Sequence, residues 1–364
     1  MKKKWSIAQI NDWYDNHPWI RGCNFMSSDC ANRIDQWQAY EFDKRLETTD
    51  RELALAHEIG FNSVRLIMDF YVWQDEHDSY MANLERYLQT TAKHGISAMI
   101  VLANDCLVPK EDFIRPQMGP QHVDWGYHGG SKRSPHRRLN GMGWSPLDEP
   151  ELRDQFYQMV TEIIGKYAND ERVIFWNIMN EPGNAGRGEQ TIPRLKELFA
   201  IAREQDPCQP LTAECWTDAA KPLPAEKVGL MESDIISYHD YNEFDWSIHE
   251  IDILREFKRP ILNTEWLCRP QGNTIQQLFP LFYLERIGCY NWGFVAGKYQ
   301  TYEPHEAVWQ AYERGDNIKW DFTKWMHDLF RPCLRPYDPI EIETIKKYCK
   351  LADEKWEHRN NRSK

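Results

Sequence analysis

The chain has 364 residues, of which 41% are hydrophobic and 27% are charged, a composition typical of a globular protein with a large core. Its net charge of −12 argues against a nucleic-acid partner, because phosphate binding depends on clustered lysine and arginine. No stretch approaches roughly 18 consecutive apolar residues, so no membrane partner is expected, and the segment after the basic residues 1–4 lacks the apolar core of a signal peptide.

The nine cysteines form no C-x-x-C pair and stand at no zinc-finger spacing with histidine. Four of them, Cys23, Cys106, Cys268 and Cys289, fall in or beside predicted strands, where a reduced thiol packs as a small apolar group. This pattern favours a reducing compartment and predicts a cytoplasmic protein. A periplasmic or secreted protein that has lost its signal peptide is the alternative.

Short β-branched or aromatic runs recur along the chain and predict eight strands. In chain order, these strands cover residues 20–25, 63–68, 96–104, 173–179, 211–216, 235–241, 261–266 and 288–295. Helical patterns lie between them, at residues 48–59, 81–94, 149–167, 192–205, 248–257 and 275–286. Gly60 and Gly95 follow two of these patterns, and glycine there can adopt the left-handed conformation that ends a helix.

The alternation of strands and helices predicts parallel strands joined by right-handed crossovers. Eight such units predict an α/β protein that closes into a (β/α)8 TIM barrel, whereas a doubly wound open sheet is the alternative. Since no repeat or linker interrupts the chain, residues 1–364 are predicted to form a single catalytic domain. Residues 105–148 are predicted to be a long βα-loop insertion that shapes a substrate site, because long loops in compact folds are often lids or binding loops.

Two glutamates follow runs that are typical of buried strands. Glu181 lies in Asn180-Glu181-Pro182 after strand four, and Glu265 lies in Thr264-Glu265-Trp266 at the end of strand seven. In a parallel barrel, groups at the carboxyl ends of the strands meet in one pocket. Two carboxylates there can cleave a glycosidic bond, since one protonates the leaving oxygen while the other attacks the sugar carbon or activates water. Either glutamate alone is also consistent with a solvated charge.

Other predicted strand ends supply polar groups to the same pocket. Arg65 interrupts an apolar run, and a buried arginine is costly unless a carboxylate pairs with it. Beside Glu265 it would keep that carboxylate ionised, although a purely structural ion pair is the alternative. His239 and Tyr241 share one face of strand six. From there Tyr241 could donate a hydrogen bond to Glu265 and His239 could face the sugar, although a lone histidine is more often part of the core.

Further candidate sugar ligands lie at the ends of strands three, five and eight. Asn104 and Asp105 form a polar pair, in which Asp105 either binds a sugar hydroxyl or caps the following loop. Trp216 and Trp292 are predicted sugar platforms, because flat aromatic faces suit the apolar faces of pyranose rings.

These motifs together resemble the retaining glycoside hydrolases of clan A, close to the cellulase-like family 5. The resemblance covers about residues 18 to 340. It is carried by Asn180-Glu181-Pro182 after a hydrophobic strand, His239-x-Tyr241, Thr264-Glu265-Trp266, Trp292, the initial Arg21-Gly22-Cys23-Asn24-Phe25 and the tail motif Trp325-x-His327-Asp328-Leu329-Phe330-Arg331.

The resemblance implies a retaining enzyme that cleaves a β-glycosidic bond in a plant or microbial oligosaccharide or polysaccharide. Glu181 would be the acid/base, with a raised pKa, and Glu265 the nucleophile, with carboxyl groups about 5 to 5.5 Å apart. Asn180 would contact the sugar 2-hydroxyl and Arg65 would support Glu265. No metal or cofactor is implied.

Two alternatives differ in class. A catalytically inactive, carbohydrate-binding barrel would be expected to have lost a glutamate or the strand-end arginine, and this sequence keeps both. A metal-dependent hydrolase or an isomerase would need metal ligands or a phosphate loop, and HExxH, EF-hand and P-loop patterns are absent.

Overall fold

The computed structural model describes residues 3–135 and 141–362, and in these ranges eight parallel strands form one sheet. Neighbouring strands pair in the order β5-β4-β3-β2-β1-β8-β7-β6. The strands are β1 (Arg21–Asn24), β2 (Ser63–Ile67), β3 (Ser97–Asn104), β4 (Val173–Asn180), β5 (Leu211–Ala213), β6 (Ile236–His239), β7 (Ile261–Trp266) and β8 (Gly288–Asn291).

Cys215 joins the two ends of this sheet. Its backbone N–H donates to the Ser237 carbonyl at 3.0 Å, and its own carbonyl accepts a hydrogen bond from the His239 N–H at 2.9 Å. The chain after β5 is thereby bonded to β6, so the sheet closes. The predicted (β/α)8 barrel is confirmed, and the open doubly wound sheet is excluded.

Twelve α-helices lie in the described part of the chain, and none of them is long and apolar enough to cross a bilayer. The helices are α1 (Ile7–Asp15), α2 (Arg33–Trp37), α3 (Phe42–Glu58), α4 (Phe70–Asp75), α5 (His77–Lys93), α6 (Pro150–Tyr167), α7 (Thr191–Glu204), α8 (Pro224–Glu232), α9 (Phe244–Leu254), α10 (Ile275–Glu285), α11 (Glu306–Glu313) and α12 (Pro339–Arg362).

Six of these helices correspond to the six predicted helical patterns. Gly60 and Gly95 have φ angles of 96° and 66°, so both adopt the left-handed conformation predicted at the ends of α3 and α5. Strands β5 and β8 end earlier than predicted, at Ala213 and Asn291, because the chain turns there into loops that contribute to the cleft described below.

The core has two parts. Apolar residues between the strands and the surrounding helices form the larger part, with Trp37, Trp176 and Trp266 fully buried. A smaller cluster fills the amino-terminal end of the barrel, where Ile10 and Tyr14 of α1 pack against side chains of the strands. Helix α1 therefore covers the end of the barrel opposite the carboxyl ends of the strands.

The segment between β3 and α6 is held against the loop that follows β4. Pro109 and Gly143 form an isolated bridge, and the buried Arg187 ion-pairs with Asp105 at 3.0 Å and with Asp148 at 2.8 Å. Both ends of the described part of this segment are therefore fixed to the barrel by one guanidinium.

Candidate active site

A cleft of about 710 Å³ opens at the carboxyl ends of the strands. Both predicted catalytic glutamates line it, as do residues from the loops after β3, β5, β6 and β8. The walls include five tryptophan and tyrosine side chains, which are Trp216, Tyr241, Trp246, Trp292 and Tyr299. The described part of the 105–148 segment supplies one wall through residues 129, 131 and 133–135.

Glu181 directly follows β4 in a left-handed conformation, with φ at 47°. Such a conformation is costly for a residue other than glycine and is often found at functional sites. The Cys106 thiol donates a hydrogen bond to Glu181 Oε2 at 2.8 Å, and the Asn184 amide donates to the same oxygen. Burial raises the pKa of Glu181, while these hydrogen bonds and the charge of Arg65 oppose that rise. The site thus favours a protonated Glu181 more than water does.

Glu265 is the penultimate residue of β7 and is 6% exposed. Arg65 Nη1 donates to Glu265 Oε1 at 2.7 Å, and the Tyr241 hydroxyl donates to Oε2 at 2.9 Å. Burial raises the pKa of Tyr241, with the charge of Glu265 adding to the effect, so the phenol keeps its proton and remains a donor. Both contacts stabilise a negatively charged carboxylate.

His239 lies between the two glutamates. Its Nδ1 is 2.8 Å from Glu181 Oε1 and 3.6 Å from Glu265 Oε2. One carboxylate oxygen of Glu181 lies within 4.8 Å of a carboxylate oxygen of Glu265. Burial lowers the pKa of His239, although the charges of Glu265 and Glu214 oppose this, so the ring is neutral near pH 7.

Arg65 is buried at 1% exposure and binds a second carboxylate that the sequence analysis did not single out. Its Nη2 lies 3.2 Å from Glu214 Oε1, and its Nη1 donates to Asn24 Oδ1 at 2.7 Å. Glu214 Oε2 also accepts a hydrogen bond from the Glu181 backbone N–H at 3.4 Å. Since Glu214 follows β5 as Glu181 follows β4, its position at a strand end was the signal that could have identified it.

The predicted ligands from strands three and four form a chain of hydrogen bonds beside this arginine. Asn180 lines the cleft, accepts from Arg65 Nη2 at 2.6 Å and donates to Asn104 Oδ1 at 2.9 Å. Asn104 thus orients Asn180 and is not among the cleft residues. Asp105 is also outside the cleft and accepts from the Gly183 N–H at 2.8 Å. Sugar contacts by Asn104 and Asp105 remain predictions.

The two predicted aromatic platforms are half-buried and line the cleft. The indole N–H of Trp216 donates to the Pro182 carbonyl at 3.2 Å, which fixes the ring next to the loop that carries Glu181. Trp246 and Tyr299 are additional aromatic residues of the cleft that the sequence analysis did not select, because both lie outside the predicted strands.

A family model for cellulase (glycosyl hydrolase family 5) matches residues 24–281. A curated β-glucuronidase of Bacteroides fragilis is 30% identical over 67 residues, which span 18% of this chain and only 9% of that protein. The match to the β-mannanase structure of the blue mussel Mytilus edulis covers 76% of this chain and 87% of the mannanase chain, with 18% identity and a TM-score of 0.52. The match to the family 5 mannosidase of Rhizomucor miehei covers 92% of this chain and 94% of the mannosidase chain, with 13% identity and a TM-score of 0.56.

At these identities the two solved structures show a shared fold. The family match extends over most of the chain, so the chain belongs to glycosyl hydrolase family 5.

Proposed function

We propose that this member of glycosyl hydrolase family 5 is a retaining β-glycosidase in which Glu181 is the acid/base and Glu265 the nucleophile. The observation that carries the proposal is that one carboxylate oxygen of Glu181 lies within 4.8 Å of a carboxylate oxygen of Glu265. Retaining glycosidases have carboxyl groups about 5–5.5 Å apart, whereas inverting enzymes need about 6.5–9.5 Å to admit a water. The spacing therefore favours direct attack by a carboxylate.

In the first step, a Glu265 oxygen attacks the anomeric carbon while the glycosidic C–O bond breaks. The proton of Glu181 moves to the leaving oxygen, and a covalent glycosyl-enzyme forms. In the second step, water attacks the same carbon, gives its proton to Glu181 and releases Glu265. Two inversions at one carbon leave the product with the configuration of the substrate.

The environments of the two glutamates suit these different roles. Burial favours the neutral form of Glu181, which must carry a proton when the bond breaks. Arg65 and Tyr241 donate to Glu265, which must be charged in order to attack. One pair of carboxyl groups in unlike surroundings can therefore supply both an acid and a nucleophile.

The proposed substrate is a β-linked glycan of plant or microbial origin. Flat aromatic rings on the cleft walls, including Trp216 and Trp292, are suited to stacking against pyranose rings. The structural relatives are described as a β-mannanase and a mannosidase, so β-mannosides and β-mannan are the first substrates to test. Because Arg33 and Arg133 also line the cleft, an aryl β-glucuronide belongs in the same panel.

The test begins with a panel of aryl β-glycosides and polysaccharides, followed by single Glu181→Gln and Glu265→Gln variants on any substrate found. Each variant should lose at least about a thousandfold in kcat for natural substrates, because each removes a group that acts only in the transition state. Glu204→Gln, at the exposed end of α7, is the matched control and should retain wild-type activity.

A near wild-type rate in either active-site variant would contradict the assignment of that glutamate. Oligosaccharide binding by calorimetry without hydrolysis of any substrate in the panel would support the inactive, carbohydrate-binding barrel instead.

A further inference from the structure

Three histidines from distant parts of the sequence meet beside the cleft. His128 belongs to the segment between β3 and α6, His305 to the segment after β8, and His327 to the tail that precedes α12. One ring nitrogen from each lies within 4.8 Å of the other two. The ring centroid of His128 lies 4.2 Å from that of His305 and 5.4 Å from that of His327.

Backbone carbonyls set the tautomer of two of these rings. The Nδ1 atom of His128 lies 2.8 Å from the Glu303 carbonyl, and the Nδ1 atom of His327 is hydrogen-bonded to the Leu267 carbonyl. Because a carbonyl can only accept, Nδ1 carries the proton in each ring and Nε2 carries a lone pair. In His327 this Nε2 is buried and has no hydrogen-bond partner among the described residues.

This arrangement is typical of histidines that bind metals. Metal-binding histidines usually donate the N–H of the other ring nitrogen to a carbonyl or carboxylate, which fixes the ring and its tautomer. His128 and His327 are each 1% exposed. Burial lowers the pKa of His128 to about 4 and holds that of His327 well below its usual value, so both rings are neutral near pH 7.

We propose that His128, His305 and His327 bind a divalent transition-metal ion, of which Zn²⁺ is the best suited. Three neutral imidazoles without a carboxylate suit Zn²⁺, Cu²⁺, Ni²⁺ or Co²⁺, whereas Ca²⁺ and Mg²⁺ prefer oxygen ligands. Zn–N bonds of about 2.0–2.1 Å in a tetrahedral site separate the nitrogens by about 3.4 Å. Because the nitrogens lie within 4.8 Å of one another, they need to approach by at most about 1.4 Å when the ion binds.

The metal has a structural role in this proposal. It links three loop segments that also meet through hydrogen bonds, such as that from the Gly126 N–H to Gln300 Oε1 at 2.6 Å. His305 also lines the cleft, so the ion would fix the position of one cleft wall. Glu181 and Glu265 are not ligands, and the proposed glycosidase chemistry does not depend on the ion.

This site was not predicted from the sequence, because its ligands are separated by 177 and 22 residues along the chain and only His327 lies in a motif, which carries no metal-binding spacing. Spacing patterns identify metal sites only when the ligands lie in one local segment.

The test is a titration of chelator-treated protein with Zn²⁺ by calorimetry, together with thermal unfolding. Wild-type protein should bind one equivalent with a micromolar or lower Kd, and excess Zn²⁺ should raise Tm by about 3 °C or more. Co²⁺ should give the visible absorption bands of a tetrahedral nitrogen site. Substitution His305→Gln, at a half-buried position, should weaken Zn²⁺ binding at least about tenfold, because it removes one of three ligands.

His122→Gln is the matched control, since His122 is exposed in the same loop as His128. It should bind Zn²⁺ as the wild type does. Absence of stoichiometric binding to wild-type protein would overturn the proposal. Equal Zn²⁺ affinity in wild type and both variants would also overturn it, because the ion would then bind elsewhere. These results are independent of glycosidase activity.

Discussion

At the scale of single residues, the Cys106 thiol is the neighbour that most opposes the protonation of Glu181. It donates to Glu181 Oε2 at 2.8 Å and thereby stabilises the charged form of the acid. The Asn184 and Asn180 amides in turn donate to its sulfur, at 3.3 and 3.5 Å. The thiol is thus held where it can tune the proton of the proposed acid/base.

Replacing Cys106 by alanine should raise the pKa of Glu181, because the charged carboxylate loses a donor. The basic limb of the pH profile of kcat/KM, which reports loss of the acid's proton, should move upward by roughly half a unit or more. Cys106→Ser keeps a donor and is the control, with a limb at or below that of the wild type. A downward shift in the alanine variant would contradict the proposed role of this hydrogen bond.

The residues of the site differ in how visible they are in the sequence. Glu181 and Glu265 stand out because each terminates an apolar run. Glu214 was overlooked because the predicted strand five continued through it to residue 216, whereas β5 ends at Ala213. The strand end depends on how the chain leaves the barrel, and that is decided by tertiary contacts rather than by local residue preference.

At the scale of elements, helix α3 carries a buried carboxyl group that has no cation closer than 3.9 Å among the described residues. Glu52 is fully buried and accepts hydrogen bonds from Ser28, and Arg51 approaches it only to 3.9 Å. Burial raises its pKa to about 8. The folded protein therefore holds a proton on Glu52 at pH values where the unfolded chain has lost it.

Glu52→Gln should accordingly change how stability depends on pH. Below about pH 4.5 the group is neutral in both states of the wild type, and between pH 5 and 8 ionisation favours unfolding. Wild-type protein should thus lose on the order of 3 kcal/mol relative to the variant across this interval. Urea unfolding of both proteins at pH 5.5 and 8 measures the difference. Parallel pH dependences would show that Glu52 does not titrate as described.

The ion pairs of Arg187 hold the 105–148 segment at both of its ends. Arg187→Met should lower the unfolding free energy by about 3–5 kcal/mol, because it leaves the buried Asp105 without its cation. Burial already raises the pKa of Asp105, so the loss should be smaller at acidic pH. Adding Asp105→Asn to Arg187→Met should recover part of the stability. Chemical denaturation that shows less than about 1 kcal/mol of loss would contradict this role.

Long elements were predictable because their patterns extend over many positions, as in the 3.6-residue period of α6 and the continuous apolar run of β3. The short helices α2 and α4 have five and six residues and therefore show no clear period. Helix α1 was missed for a similar reason. It has nine residues, of which only Ile10 and Tyr14 are buried, so its apolar period extends over a single repeat.

At the scale of the whole molecule, the alternating order of elements was sufficient to predict the barrel, because few topologies accommodate eight such units. The arrangement of the loops above it was not predictable. Contacts such as those of Arg187 and the three histidines join segments that are far apart in sequence, and only the closed barrel brings them together.

The most direct test of the central claim is covalent trapping with the 2-deoxy-2-fluoro glycoside that matches the substrate found. The fluorine slows both steps, and a good leaving group allows the first, so the glycosyl-enzyme of a retaining enzyme accumulates. Mass spectrometry of the digested protein should find one sugar per chain, attached to the peptide that contains Glu265, and no label in Glu265→Gln. A label on any other residue, or turnover of the substrate with inversion at the anomeric carbon, would contradict the proposed mechanism.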